Sequence, residues 1–319
     1  MHTIPAGLGR FGILVAAGAA LLVAVVLAAS GIGERTGALT DWQAFVLGIV
    51  QGLTELLPIS SSGHLILVPW LADWDYLERH DEFNQTFDVA LHLGTLIAVV
   101  AYFRNRIAEL FRAFLTAARR RRVVTPAERA AVFVAIATVP AAIVGALGEE
   151  LIADHLGEPW QIAILLAVFA VVLWIADRRP ASRELDELGP RAAIAVGLAQ
   201  SLSLMPGVSR SGITISAARF LGLERDEAAT LSFLLLVPIT FGAVVWKGLN
   251  DVVLGDLPPG STGPFLVGTL AAAGSGLLAI WALLSYVRRH DYTVFVVYRL
   301  IVAFVVALLI ASGFRGAGF

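Results

Sequence analysis

The chain of 319 residues is 58% hydrophobic and 15% charged, with a mean hydropathy of +0.80, whereas a soluble domain is about half apolar and about one-quarter charged. Lipid is therefore the solvent for most of the chain, and a water-soluble globular domain is excluded. A net charge of −2, with Lys247 the single lysine, gives no global electrostatic basis for nucleic-acid binding, and the absence of cysteine removes disulfides, thiolate nucleophiles and cysteine metal sites.

In chain order, almost uncharged windows fall at 11–29, 87–103, 130–147, 159–176, 228–246, 263–286 and 293–311. Each can cross a hydrocarbon layer of roughly 30 Å at about 1.5 Å per residue, and they read as transmembrane helices. The first follows Arg10 and ends on the small residues Ala28, Ala29 and Ser30, a pattern shared by an extra N-terminal span and a signal peptide. Residues 1–41 are expected to be that segment and a linker, and 42–319 a single membrane domain. Two further stretches, 42–72 and 191–221, are apolar at both ends but interrupted by Pro, Ser and Gly. Each is expected to be a re-entrant hairpin. Non-helical backbone at membrane depth must be buried in protein or line a cavity, so the interruptions point to the functional site.

Orientation follows from the arginines. The 104–129 loop carries Arg104, Arg106, Arg112, Arg119, Arg120, Arg121, Arg122 and Arg129 against Glu109 and Glu128, which marks it as cytoplasmic. Counting crossings from there puts Arg288 and Arg289 inside and the acidic loops 73–82 and 149–158 outside. The run Arg119–Arg122 reads as a topology signal, with contact to anionic lipid as its second use.

Placing Gly48 to Gln51 over Gly197 to Gln200 brings Ser60 onto Ser209, Ser62 onto Ser211 and Gly63 onto Gly212 at one offset of 149 residues. Pro58 and Pro206 miss by one. Each hairpin is followed by three spans, and an odd number of crossings inverts the second copy in the membrane. The expected fold is an all-α integral membrane protein of two inverted-topology repeats, 42–176 and 191–312, each a re-entrant helical hairpin plus three transmembrane helices. The two interrupted tips then meet near the bilayer midplane.

At the first tip Gln51 and Glu55 share a helix face, and an ionisable carboxylate inside an apolar segment is costly unless a cation or partner compensates it. Ser60, Ser61, Ser62 and Gly63 in the first tip, and Ser209, Ser211 and Gly212 in the second, bring hydroxyls and backbone N–H groups to the start of a helix, an arrangement suited to an anion. Arg210 adds a planar fork of donors matched to phosphate oxygens. A carboxylate able to hold a divalent cation, several hydroxyls, the His64 imidazole and the Arg210 guanidinium are the parts of phosphoryl transfer. Ser61 and His64, three apart, suit a nucleophile and its proton partner, although the spacing does not separate a serine nucleophile from an activated water. Each residue also has a plainer use: the serines as helix N-caps, His64 as a buried hydrogen-bonded ring, Glu55 and Arg210 as a structural ion pair.

Gln51-x-x-x-Glu55, the run Pro58 to His64, the run Pro206 to Thr214 and the stretch Thr86-Phe-Asp88…Leu93-Gly94 together resemble the undecaprenyl pyrophosphate phosphatases of the bacitracin-resistance type, from about Trp42 to the C-terminus. The resemblance implies hydrolysis of undecaprenyl pyrophosphate to undecaprenyl phosphate and inorganic phosphate in the bacterial inner membrane, at a site open to the periplasmic side. It implies a divalent cation, Mg²⁺ or Ca²⁺, and carries the catalytic positions onto Glu55, Ser61, His64 and Arg210, with Glu55 as metal ligand. Gln51, Ser60, Ser209, Ser211 and Thr214 follow as substrate-binding residues, and Ser62, from the anion-binding arrangement of the first tip, joins them. Gln51 stands where some relatives have a second Glu, which weakens a two-carboxylate cation site. The partners are a polyprenyl pyrophosphate and the membrane; homodimerisation is left open. Two rival readings are a polyprenyl-phosphate transporter or flippase, because interrupted helices in inverted repeats also build alternating access, and a phosphatase of broader lipid pyrophosphates.

Overall fold

The computed structural model describes residues 39–72, 74, 81–248 and 260–317. The predicted span at 11–29 and most of the predicted acidic loop at 73–82 lie outside them. The described residues form ten α-helices: α1 Asp41–Leu56, α2 Ser61–Ala72, α3 Asp81–Arg120, α4 Pro126–His155, α5 Pro159–Asp177, α6 Pro190–Ser201, α7 Arg210–Phe220, α8 Arg225–Lys247, α9 Thr262–Val287 and α10 Thr293–Ala311. Six of these, α3, α4, α5, α8, α9 and α10, are long and apolar enough to cross a membrane, and they coincide with the six predicted windows after residue 29. The remaining four form two interrupted pairs, α1–α2 and α6–α7.

Local chemistry fixes these boundaries. Thr40 caps α1, its Oγ1 accepting the Gln43 N–H at 3.2 Å while Gln43 Oε1 accepts the Thr40 N–H at 3.0 Å, a reciprocal capping box. Pro58 ends α1, since proline offers no N–H and drives the residue before it out of the helical region; Leu57 is extended at φ −80°, ψ 147°. The second pair breaks similarly, with a 3₁₀ turn at Leu202–Leu204 followed by Pro206 and Gly207.

One predicted loop is instead helix. The arginine-rich stretch after residue 103 continues α3 to Arg120, with a kink at Phe103 (φ −99°, ψ 18°). From Arg104 to Arg122 the sequence contains no Gly or Pro and is rich in Ala, Leu, Arg and Phe, so nothing in it stops a helix. At about 1.5 Å per residue, α3 is roughly twice as long as a hydrocarbon layer is thick. The predicted acidic loop at 149–158 is likewise largely helix, α4 running on to His155.

Two features set how the helices pack. Glycines let backbones touch: a Cβ on Gly48 would lie 2.4 Å from Gly268 O, one on Gly52 would lie 2.4 Å from Ala272 O, and one on Gly197 would lie 2.6 Å from Ala137 O. The α1–α9 and α4–α6 contacts are therefore backbone against backbone, the close approach that small residues permit in a membrane, where burial of apolar surface supplies no drive. Outward faces are apolar as well, with Leu147, Leu270, Trp246 and Phe304 each more than 60% exposed, as lipid-facing surface requires. At one end of the bundle the polar groups pair. Asp177 at the end of α5 accepts from Arg225 Nε at 2.7 Å and from the Tyr292 N–H at 3.0 Å, and Arg129 at the start of α4 reaches Asp186 at 2.9 Å. The start of α4 and the end of α5 thus lie on one face of the bundle, as alternating crossings demand.

Replacing Gly52 by Val is expected to force α1 away from α9 and lower stability by about 1–3 kcal/mol, whereas Gly274→Ala, with nothing within 4 Å of the added Cβ, should leave it unchanged or raised. The thermal midpoints of the two detergent-solubilised variants check this, and equal midpoints would show that the close contact is absent.

Candidate functional site

The two helix interruptions meet. Ser60 and Ser209, each the residue before the second helix of its pair, have φ of +77° and +74°, a region that side-chain-bearing residues rarely occupy and that persists where surrounding contacts enforce it. Both use the same device: Ser60 Oγ accepts the Gly63 N–H at 3.4 Å and Ser209 Oγ accepts the Gly212 N–H at 3.1 Å. The tips are also bonded to each other. Gly207 N–H donates to Ser60 Oγ at 3.1 Å, and Ser211 Oγ donates to Leu57 O at 2.9 Å.

On this frame sits a charged cluster. Glu55 Oε1 receives both Nε (3.2 Å) and Nη2 (3.1 Å) of Arg210 from the opposite tip. Its other oxygen, Oε2, accepts a short hydrogen bond from Ser61 Oγ and lies 3.4 Å from Gln51 Nε2. The third arm of Arg210, Nη1, is held by Ser232 O of α8 at 2.6 Å. Thr214 Oγ1 lies 2.7 Å from Arg210 O and 2.8 Å from Ser232 Oγ, so it braces Arg210 through main chain and neighbour. Gln51, Glu55 and Ser61 are all buried. Gln51 Oε1 is buried with no hydrogen-bond partner among the described residues.

The two histidines differ. His64 is 2% exposed, and both ring nitrogens are engaged, Nδ1 with Ser60 O at 2.6 Å and Nε2 with the Tyr298 hydroxyl at 2.8 Å. A carbonyl only accepts, so Nδ1 carries the hydrogen and Nε2 accepts from Tyr298. His92 of α3 keeps 31% of its side chain exposed and brings Nε2 within 3.5 Å of Glu55 Oε2, its Nδ1 fixed by Asp88 O at 2.7 Å. Ser61 and His64, paired on sequence spacing, therefore have separate partners.

Of the predicted residues the structure brings Gln51, Glu55, Ser61 and Arg210 into one cluster, places Ser60, Ser209 and Ser211 in the frame that joins the tips, and sets Thr214 behind Arg210. Ser62 is half-buried, and among the described residues no hydrogen bond joins it to this network. His92, Ser232, Tyr298 and Arg299 belong to the same neighbourhood and were not singled out by sequence. Two of them left a trace there: Thr86 to Gly94 brackets His92, and Arg299 is an ionisable residue in the middle of an apolar span, which is costly without a reason.

A family model described as bacitracin resistance protein BacA matches residues 44–305. The chain is 45% identical over 275 residues to the undecaprenyl-diphosphatase of Gemmatimonas aurantiaca, covering 86% of this chain and 99% of that protein. It is 46% identical over 260 residues to the undecaprenyl-diphosphatase of Geobacter sulfurreducens, covering 81% and 94%, and 44% identical over 279 residues to that of Thermomicrobium roseum, covering 85% and 98%.

The φ of +74° at Ser209 separates two substitutions. Ser209→Gly relieves the backbone and gives up only a few tenths of a kcal/mol of capping, while Ser209→Ala keeps the backbone conformation and loses the cap, about 0.5–2 kcal/mol. The glycine variant should thus melt at or above the wild-type temperature and the alanine variant below it; the reverse order would show that this residue has ordinary extended backbone.

Proposed function

We propose that this chain, which belongs to the bacitracin resistance protein BacA family, removes the terminal phosphate of undecaprenyl pyrophosphate, leaving undecaprenyl phosphate and inorganic phosphate. The observation that carries this reading is the serine–carboxylate–guanidinium chain across the tips: Ser61 Oγ bonded to Glu55, and Glu55 bonded to Arg210 from the second interruption. It combines an activated hydroxyl with a cation suited to phosphoryl oxygens. The names of the relatives, at 45% and 46% identity over most of their length, support the same substrate.

In the proposed reaction Ser61 Oγ gives its proton to Glu55 Oε2 and attacks the terminal phosphorus. The bond from that phosphorus to the bridging oxygen breaks, and undecaprenyl phosphate leaves with the electron pair. The Glu55 proton passes to the departing undecaprenyl phosphate; water then gives a proton to Glu55 as it attacks the Ser61 phosphate ester, Glu55 returns that proton to Ser61 Oγ, and inorganic phosphate is released. Arg210 neutralises charge on the transferring group, and the N-termini of α2 and α7 present their positive ends to the same region. Spacing suggests His64 as the proton partner of Ser61; with both of its ring nitrogens engaged, the geometry supports Glu55 in that role and His64 in holding the Ser60 carbonyl that precedes Ser61.

The residues present fit a hard divalent cation. Gln51 Oε1 is a buried carbonyl oxygen without a partner beside the Glu55 carboxylate, and Mg²⁺ is commonly held by one or two carboxylates completed by substrate phosphates. Glu55 and Gln51 are the residues to hold it, and when bound it supplies further charge neutralisation for the phosphate oxygens. Among the described residues no group of three or more His, Asp or Glu side chains could hold such an ion, so Gln51 and Glu55 would hold it only together with the substrate.

The architecture is read as two inverted repeats forming one domain over 42–319, with the α1–α2 and α6–α7 pairs as re-entrant hairpins. The matching positive φ at Ser60 and Ser209 and the close contacts at Gly48 and Gly197, each pair 149 residues apart, support the repeat. The arginine distribution argues for a cytoplasmic start of α4, at Arg129, and a cytoplasmic α9–α10 connection, at Arg288, and the site is read as opening to the opposite side. A pure carrier needs the anion site but has no use for the Ser61–Glu55 bond.

Phosphate release from undecaprenyl pyrophosphate by detergent-purified protein tests the assignment. Ser61→Ala and Glu55→Gln should each cut release by about 10²–10⁴-fold while remaining folded, and no release by folded wild-type protein under any cation would turn the reading to a carrier. Chelation of divalent ions should abolish release and added Mg²⁺ or Ca²⁺ restore it; release indifferent to chelator would remove the cation from the scheme.

A further inference from the structure

Arg299 is fully buried at 0% exposure in the middle of α10, and among the described residues no carboxylate pairs with it. Its donors go to main-chain carbonyls. Nη1 reaches Pro58 O of the first tip at 3.3 Å, Nη2 reaches Gly207 O at 2.8 Å and Val208 O at 3.1 Å in the second, and Nε reaches Leu166 O of α5 at 3.1 Å. One planar group therefore spans both interruptions and anchors them to two helices. The residue before it, Tyr298, donates its hydroxyl to His64 Nε2 at 2.8 Å, with the rings stacked 5.7 Å apart.

A buried charge without a counter-ion costs several kcal/mol, and an apolar side chain of similar volume would hold helices together at less expense. What an apolar residue cannot do is fix the direction of three carbonyls in two strained turns. Pro58 lies two residues before Ser60, and Gly207 and Val208 lead directly into Ser209 and Arg210. A rotation at the Gly207 or Val208 carbonyl would displace Arg210, and one at the Pro58 carbonyl would displace Ser60 and Ser61, relative to Glu55, so the pairing depends on the two tips being in register.

We propose that Tyr298 and Arg299 are positioning residues for the reaction, Arg299 registering the two tips and Tyr298 fixing the ring of His64. This rests on the phosphatase reading given above. Neither residue is placed to touch the pyrophosphate, so their loss acts on turnover and not on capture.

Steady-state kinetics of phosphate release by wild type, R299K and Y298F test this. A lysine has three donors on one atom and cannot reproduce the fork, so R299K should lower kcat by at least about tenfold with KM within about threefold, and Y298F should lower kcat in the same manner. Turnover within about twofold of wild type in folded R299K, or a rise in KM at unchanged kcat, overturns the role of Arg299; unchanged kcat in Y298F overturns that of Tyr298. Should R299K not fold, R299Q, which removes the unpaired charge and keeps two donors, is judged by the same criteria. A second readout is independent of activity. The chain has no cysteine, so Leu57→Cys with Met205→Cys takes two spin labels and reports the tip-to-tip distance. The distribution should broaden in the Arg299 variant, and an identical distribution overturns the registering role. Wild-type protein that releases no phosphate tells against the phosphatase reading itself, while the distance measurement still decides whether Arg299 registers the tips.

Discussion

The structure depends on one constraint: backbone that leaves the helix inside an apolar bundle must find its hydrogen bonds within the protein, because hydrocarbon offers none. Two interruptions placed against each other meet that demand together. Ser60 Oγ takes the Gly207 N–H, Ser211 gives its hydroxyl to Leu57 O, and Arg299 collects the carbonyls of Pro58, Gly207 and Val208. Each break thus supplies part of what the other lacks. Polar groups gathered to satisfy backbone also make a polar interior between the two tips, where Gln51, Glu55 and Ser61 are buried.

The close helix contacts serve the same end. With Gly48 and Gly52 against α9 and Gly197 against α4, the first helix of each interrupted pair is seated backbone to backbone on a neighbouring span. Such seats tolerate little sliding, because a shift of one residue would bring side chains into contacts that only glycine allows. Glu55, one helical turn beyond Gly52, inherits that fixed position. Arg210 gets its own from the opposite tip and from Ser232 of α8. The carboxylate and the guanidinium are therefore positioned by independent elements, and their bond measures how well the two halves fit.

Much of this was legible in the sequence, for identifiable reasons. Six spans followed from uninterrupted apolar windows, since a length of chain that must be solvated by lipid leaves a compositional mark that no tertiary contact can erase. The interruptions followed from Pro58 and Pro206, and the cluster of Gln51, Glu55, Ser61 and Arg210 from ionisable and hydroxyl residues at those breaks. The continuation of α3 to Arg120 was not legible because positive charge marks the side of the membrane and says nothing of where a helix ends; only the absence of Gly and Pro carried that information. The partners of His64 were hidden for a different reason. Spacing suggested Ser61, three residues away, but the ring turns toward Tyr298, 234 residues along the chain, and no local pattern encodes so distant a neighbour. Arg299 lay within a window read simply as an apolar span, and its purpose emerged only when its carbonyl partners were known.

The resting Glu55–Arg210 pair also bears on how binding and chemistry divide in the proposed reaction. Buried ion pairs contribute little to stability once desolvation is counted, so this one is better understood through what happens when it is exchanged. An incoming pyrophosphate competes with Glu55 for the Arg210 fork, and every contact it wins there removes positive charge from the carboxylate. A carboxylate relieved of its guanidinium holds a proton more readily, at the moment when the Ser61 hydroxyl beside Oε2 has one to give. Part of the attraction between Arg210 and the substrate is consequently spent on displacing Glu55 and does not appear as affinity. Interactions used in this way raise turnover instead of tightening the ground state, and they require that Glu55 be held on its own helix when Arg210 leaves it, as the glycine seat of α1 ensures.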